Sequence, residues 1–187
     1  MFDVLAERAQ LVRLDMLKTQ IFSTLSGPGD LKSPEGSDTL LDWFVENGRG
    51  FYAAWGPAAW AFSGHASRFE TSTTGRVSIR SPELVAITVT ALGGAAIDES
   101  RNVLVTACGR CENTGMIFSE DRRTVGRNWG GAPVRIEAVT ATVGVPEGQW
   151  KCQALGPDGT AKRDVPVING VIQLSPEYGT MWYLLTR

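Results

Sequence analysis

From residue 67 onward, apolar and polar positions alternate in short runs, the period of strands with one buried face. GRVSIRS (75–81) sets Val77 and Ile79 against Arg76, Ser78 and Arg80. ELVAITVTAL (83–92) puts Val85, Ile87, Val89 and Ala91 on one face and Ala86, Thr88 and Thr90 on the other, and Gly93-Gly94 then turns the chain. NVLVTACG (102–109) reads as an apolar, central strand. In PVRIEAVTATVGV (133–145) Val134 and Ile136 share one parity, while Val139, Ala141, Val143 and Val145 share the other. One strand cannot bury both sets, so a bulge or break is expected near Glu137-Ala138. Pro157-Asp158-Gly159-Thr160 is a turn signal, and Asn169-Gly170 between VPVI and VIQL is a strong hairpin signal. MWYLLT (181–186) is expected to close the sheet. Nothing from 67 to 187 has helical periodicity. The pattern predicts an all-β fold, an antiparallel β-sandwich.

The N-terminal third alternates less regularly. Leu11-Val12-Arg13-Leu14 favours a strand from about Gln10 to Met16, continuing into TQIFSTLSG. GPGDLKSPEGSD (27–38) has the Gly, Pro, Ser and Asp content of a loop. SDTLLDWFVENG (37–48) predicts one short helix near 38–47, with Ser37 or Asp38 as N-cap, Leu40, Leu41 and Phe44 on one face, and Gly48 as stop. GFYAAWGPAAWAFSG (50–64) follows, aromatic and bent at Gly56-Pro57. The organisation expected is a single sandwich domain over 1–187, with an irregular aromatic-rich insertion at about 27–64.

At 187 residues the chain can bury a substantial core. Its net charge of −2, with Lys and Arg scattered, provides no footprint for nucleic acid or an anionic membrane. No apolar run approaches the length needed to cross a bilayer. The first twenty residues are charged throughout and are not a signal peptide, so an exported protein would carry its signal or an upstream domain outside this chain. Six Trp is a high number, and each ring is either core or ligand-facing.

Cys108 and Cys111 form a Cys-x-x-Cys, the spacing of redox sites and of half of many zinc sites. In a flat strand such positions lie about 10 Å apart on opposite faces, whereas a disulfide needs Cα atoms within about 7 Å. A redox site also wants a helix N-terminus after the first Cys. Here Glu112-Asn113-Thr114-Gly115 follows, an anion and a turn. Zinc would require Cys152 and His65, the chain's single His, as further ligands. The cysteines therefore read as small apolar residues in and beside a buried strand, replaceable by Ser or Ala without loss of fold. No cofactor is expected. A structural Ca²⁺ stays open, because sandwich loops with Asp, Asn and backbone carbonyls make such sites, although no loop here spells one.

The stretch NVLVTACGRCENTGMIFSEDRRTVGRNWGGAPVRIEAVTATV (102–143) resembles the C-terminal β-sandwich that follows the catalytic barrel in a group of bacterial glycoside hydrolases. The shared pattern is a strand ending in Gly-Arg, then ENTGM, a loop, a Trp-Gly and Pro-Val pair, and a strand alternating Val and Thr. The likeness extends upstream through SIRSPELVAITVTALGGAAIDES and more faintly to LVRLDMLKTQIFSTLSG. Two departures stand out: the cysteines sit where other small residues are expected, and Met16-Leu17 replaces a Thr-Pro. No βα repeat supplies the barrel that bears the catalytic glutamates in those enzymes. The resemblance implies a non-catalytic, sugar-associated domain, in a secreted or periplasmic bacterial setting of polysaccharide degradation.

The first function is then an accessory module binding a plant cell-wall or other polysaccharide. Sugar rings stack on Trp or Tyr while Asn, Arg, Glu and Asp hydrogen-bond the hydroxyls. One candidate group is Trp129 with Arg127 and Asn128 in GRNWGG, facing Arg110, Glu112 and Asn113 of the CGRCENTGM rim. The strands NVLVTACG and PVRIEAV are expected to pair and bring these together. A second aromatic group is Trp55 and Trp60 with Tyr52. The alternative is a structural sandwich that packs on a glycoside hydrolase catalytic domain or forms a homo-oligomer through its aromatics. A third reading is a small hydrolase using two of Glu112, Glu120, Asp121 and Glu137, which would have to face each other across a cleft.

Overall fold

The computed structural model describes residues 27–32, 40–46, 49–68, 77–122 and 124–187. The expected strand from Gln10 to Met16, and all but the last residue of TQIFSTLSG, lie outside them, as do Ser37, Asp38 and Gly48. The described chain is all-β and antiparallel. Among the described residues the only helical turns are two short 3-10 segments, Ala66–Arg68 and Pro176–Tyr178. Among the described residues no helix is long and apolar enough to cross a membrane.

Among the described residues fifteen strands run in chain order: β1 (Gly27–Lys32), β2 (Leu40–Glu46), β3 (Arg49–Trp55), β4 (Ala59–His65), β5 (Val77–Ser81), β6 (Leu84–Ala91), β7 (Asn102–Cys108) and β8 (Cys111–Thr114). They continue as β9 (Gly131–Ile136), β10 (Thr140–Gly144), β11 (Lys151–Leu155), β12 (Ala161–Val165), β13 (Val167–Ile168), β14 (Val171–Leu174) and β15 (Trp182–Thr186). Nine of them form one sheet in the order β1-β2-β3-β4-β6-β7-β15-β11-β12. A second sheet has the order β13-β14-β10-β5, and β8 and β9 pair as a separate two-stranded ribbon.

The alternation seen in the sequence is what packs the two main sheets together. Val85, Ile87, Val89 and Ala91 of β6 are buried, and so are Val103, Val105 and Ala107 of β7. Ala141 and Val143 of β10, with Ile172 and Leu174 of β14, come from the second sheet into the same apolar cluster. One core between two sheets is the arrangement of a β-sandwich. The break expected near Glu137-Ala138 is present: β9 stops at Ile136 and β10 starts at Thr140. Asn169 and Gly170 take φ of 51° and 71° between β13 and β14, the left-handed pair that a two-residue hairpin demands.

Three sequence expectations change. Leu40–Glu46, expected as a helix, is a strand paired along its length with β3, from Leu40↔Trp55 to Glu46↔Arg49. Leu40, Leu41, Phe44 and Val45 fit either period, and the adjoining hairpin decides. The first half of the expected loop GPGDLKSPEGSD is the edge strand β1, where Pro28 is tolerated because an edge leaves backbone groups unpaired. The aromatic stretch within 27–64, expected to be irregular, is four consecutive antiparallel strands. In addition, MWYLLT does not close an edge, because β15 lies between β7 and β11.

Candidate functional site

At the end of β7 the chain leaves the large sheet and enters the β8–β9 ribbon. The ribbon is continued at its base by two backbone hydrogen bonds, from Gly109 N–H to the Glu137 carbonyl and from Glu137 N–H to the Arg110 carbonyl, both 2.8 Å. The register pairs Cys111 with Ile136, Glu112 with Arg135 and Asn113 with Val134. Alternation therefore sorts Glu112 and Arg135 onto one face, and Cys111, Asn113, Val134 and Ile136 onto the other. The sequence led to the expectation that NVLVTACG itself pairs with PVRIEAV. The ends of the connection do meet, but through β8, while β7 is occupied on both sides by β6 and β15.

The connection from Gly115 to Gly130 folds back on itself. The Ile117 N–H donates to the Asn128 carbonyl at 3.0 Å, Phe118 bridges Val125, and the Arg122 guanidinium lies 4.2 Å from the Phe118 ring centre. Asn113 donates from its amide to the Trp129 carbonyl at 3.0 Å, fixing the loop that carries this ring. Gly130 (φ 65°) makes that approach feasible, since a Cβ there would sit 2.3 Å from the Thr114 carbonyl oxygen. Trp129 is 59% exposed, so its ring is a surface feature rather than core.

Two clefts flank the base of the ribbon. One, of about 450 Å³, is walled by Trp182, Met181, Leu155 and Ile136, with Glu137, Thr180 and Lys162 as its polar groups. The other, of about 400 Å³, is lined by Arg110, Glu112, Arg122 and Arg135. They share Ile136 and Glu137, so an apolar wall and a charged shelf adjoin. Glu112 is ion-paired with Arg122, and Glu137 accepts the Arg110 backbone N–H at 3.2 Å.

The expected site residues separate into three places. Arg110 and Glu112 line the charged cleft. Asn113 holds Trp129, while Arg127 and Asn128 border a smaller hollow of about 280 Å³ with Ile117 and Phe118. The second aromatic group does not join them. Trp60 is buried, so its ring has no face left for a ligand, and Trp55 packs against the core beside it. Tyr52 is exposed on the opposite face of β3, three strand spacings from β7, which is roughly 14 Å of sheet. Sequence reasoning missed Trp182, Lys162, Arg122 and Arg135. The parity of β15 held the signal for Trp182, since Tyr183 and Leu185 take the core face and leave Trp182 and Leu184 on the outer one.

The cysteines are free: Cys111 is exposed, Cys108 half-buried and Cys152 buried. Burial pushes the Cys152 thiol up to about 12 and raises Cys108, with Cys111 adding to the latter. Both are held as thiols near neutral pH, the opposite of a reactive nucleophile. His65 is a structural residue, its Nδ1 accepting the Gly50 N–H at 3.1 Å. Among the described residues no group of three His, Cys, Asp or Glu side chains is placed to hold a metal ion. No family model, curated protein or solved structure matches this chain.

Proposed function

We propose that this chain is a non-catalytic carbohydrate-binding β-sandwich module, as the sequence resemblance to sandwiches of polysaccharide-degrading enzymes implies. The observation that carries the reading is the open, Trp182-walled cleft whose rim holds Glu137, Thr180 and Lys162. A pyranose ring offers an apolar C–H face to an aromatic wall and hydroxyls to charged and hydroxyl groups around it, which is the mixture present here. Trp129, standing exposed on the ribbon loop, provides a second ring on which an extended chain can stack. Both clefts are open, which suits a polymer that enters and leaves sideways rather than a sequestered small molecule.

A structural role is the second reading, and one observation favours it. The ribbon exposes Ile117, Val134 and Ile136 on β9 and its loop, and a bare two-stranded ribbon is marginal in water. A glycoside hydrolase barrel or a second copy of this chain would cover that surface.

The test is a titration of the protein with soluble oligosaccharides, following Trp fluorescence, together with an insoluble-polysaccharide pull-down. Binding that Trp182→Ala and Trp129→Ala weaken, with unchanged melting temperature, is the expected result. A protein that binds no glycan and runs as a dimer or larger assembly would leave the structural role standing instead.

A further inference from the structure

The charged cleft points to the class of sugar. Three guanidiniums and two carboxylates line it. Arg122 is used up by Glu112, and Glu137 is turned to the Arg110 backbone N–H. Among the described residues, the guanidiniums of Arg110 and Arg135 make no ion pair and no hydrogen bond. An exposed Arg needs no partner, but these two are not scattered. Glu112 is opposite Arg135 in the ribbon register, and Arg110, just before β8, lines the same cleft. Two planar forks on one cleft can converge on a carboxylate, and bidentate pairing of this kind is what guanidinium offers and ammonium does not. At Ile136 the shelf runs into the Trp182-walled cleft, whose rim adds the cation of Lys162.

We propose that this pair of clefts binds an acidic glycan, a chain of uronic acid units, with one unit stacked on Trp182 and the carboxylate of a neighbouring unit held by Arg110 and Arg135. This rests on the carbohydrate reading above and sharpens it to carboxylate-bearing sugars. A free phosphate would use the guanidiniums alone, and the apolar wall adjoining them suits a ring.

The test uses the full chain with oligogalacturonate and oligomannuronate, their methyl esters, and a panel of neutral oligosaccharides. The methyl ester keeps the ring and removes the charge. The expected result is binding of at least one acid form, weakened tenfold or more by esterification and weakened by added salt. Arg110→Gln and Arg135→Gln should each cost about tenfold in affinity for the acid form with unchanged melting temperature. Arg101→Gln, at the far end of β7, should change neither. Equal binding of acid and ester, or binding of neutral glycans alone, would overturn the acidic class and leave the carbohydrate reading intact. Failure to bind any glycan would overturn both.

Discussion

Trp60 and Trp129 expose 6% and 59% of their surface, so truncating them should register in different measurements. Trp60→Ala removes a core ring and should cost about 3–5 kcal/mol of stability, read as a lower urea midpoint. Trp129→Ala should leave that midpoint within the scatter of surface substitutions, while glycan affinity falls about tenfold or more. The thiols divide in the same way. A thiol reagent should modify Cys111 at once in the native protein, Cys108 more slowly, and Cys152 only on unfolding, because Cys152 is almost fully enclosed beside Leu185 and Val165. Rapid native labelling of Cys152 would mean that β11 is less well packed than its burial indicates.

At the scale of elements, the strands that alternate cleanly were legible. The buried and half-buried positions of β6 follow the parity read from ELVAITVTAL, because a strand between two others with one buried face has no other way to pack, and NVLVTACG, read as a central strand, lies between β6 and β15. Asn169-Gly170 was legible because its turn demands left-handed backbone that few residue pairs supply. The misread elements are those decided by partners. Leu40–Glu46 carries apolar residues at both helical and strand spacings, and β3 supplies a ladder the local pattern does not encode. Gly27–Lys32 has loop composition and is a strand only because β2 offers its edge. At the candidate site, CGRCENTGM and GRNWGG adjoin as the sequence implies. The parity of β15 marks Trp182 as outward-facing, but which cleft it and Arg135 join depends on register across sequence-distant strands. Gly130→Ala tests the local geometry of the ribbon. The Cβ would strike the Thr114 carbonyl in a left-handed backbone position, so the loop should shift, Trp129 should lose its place, and glycan affinity should fall with the large sheet intact. Unchanged affinity in that variant would show that the loop does not position the ring for binding.

At the scale of the whole molecule, the response to pH follows from where the ionisable groups are buried. On the acid side, the Ser67 hydroxyl holds Glu83 below the usual carboxylate range, and Thr160 and Gln153 do the same for Asp158 and Asp164. A lowered carboxylate contributes stability above the ordinary carboxylate value and loses it as pH falls through the folded one. These three groups lie at the surface, so the acid effect should be small and reduced by salt. The alkaline side is governed by the core. Cys152 ionises ordinarily near 9.0 and is pushed up to about 12 by burial, and burial also raises Tyr183, packed on the same inner face. Between those values the unfolded chain gives up the thiol proton while the folded chain keeps it. The unfolded state then binds fewer protons, and stability must fall as pH rises, by about 1.4 kcal/mol per unit for one fully separated group. Urea midpoints measured from pH 7 to pH 11 should therefore decline steadily above about pH 9, the region of unfolded-thiol ionisation. Cys152→Ala should start lower at neutral pH, by about 1–2 kcal/mol for the lost sulfur contacts, and then decline less steeply. The two curves should converge at high pH. Parallel curves would show that the alkaline loss comes from other groups and that the Cys152 thiol is not held neutral by the core.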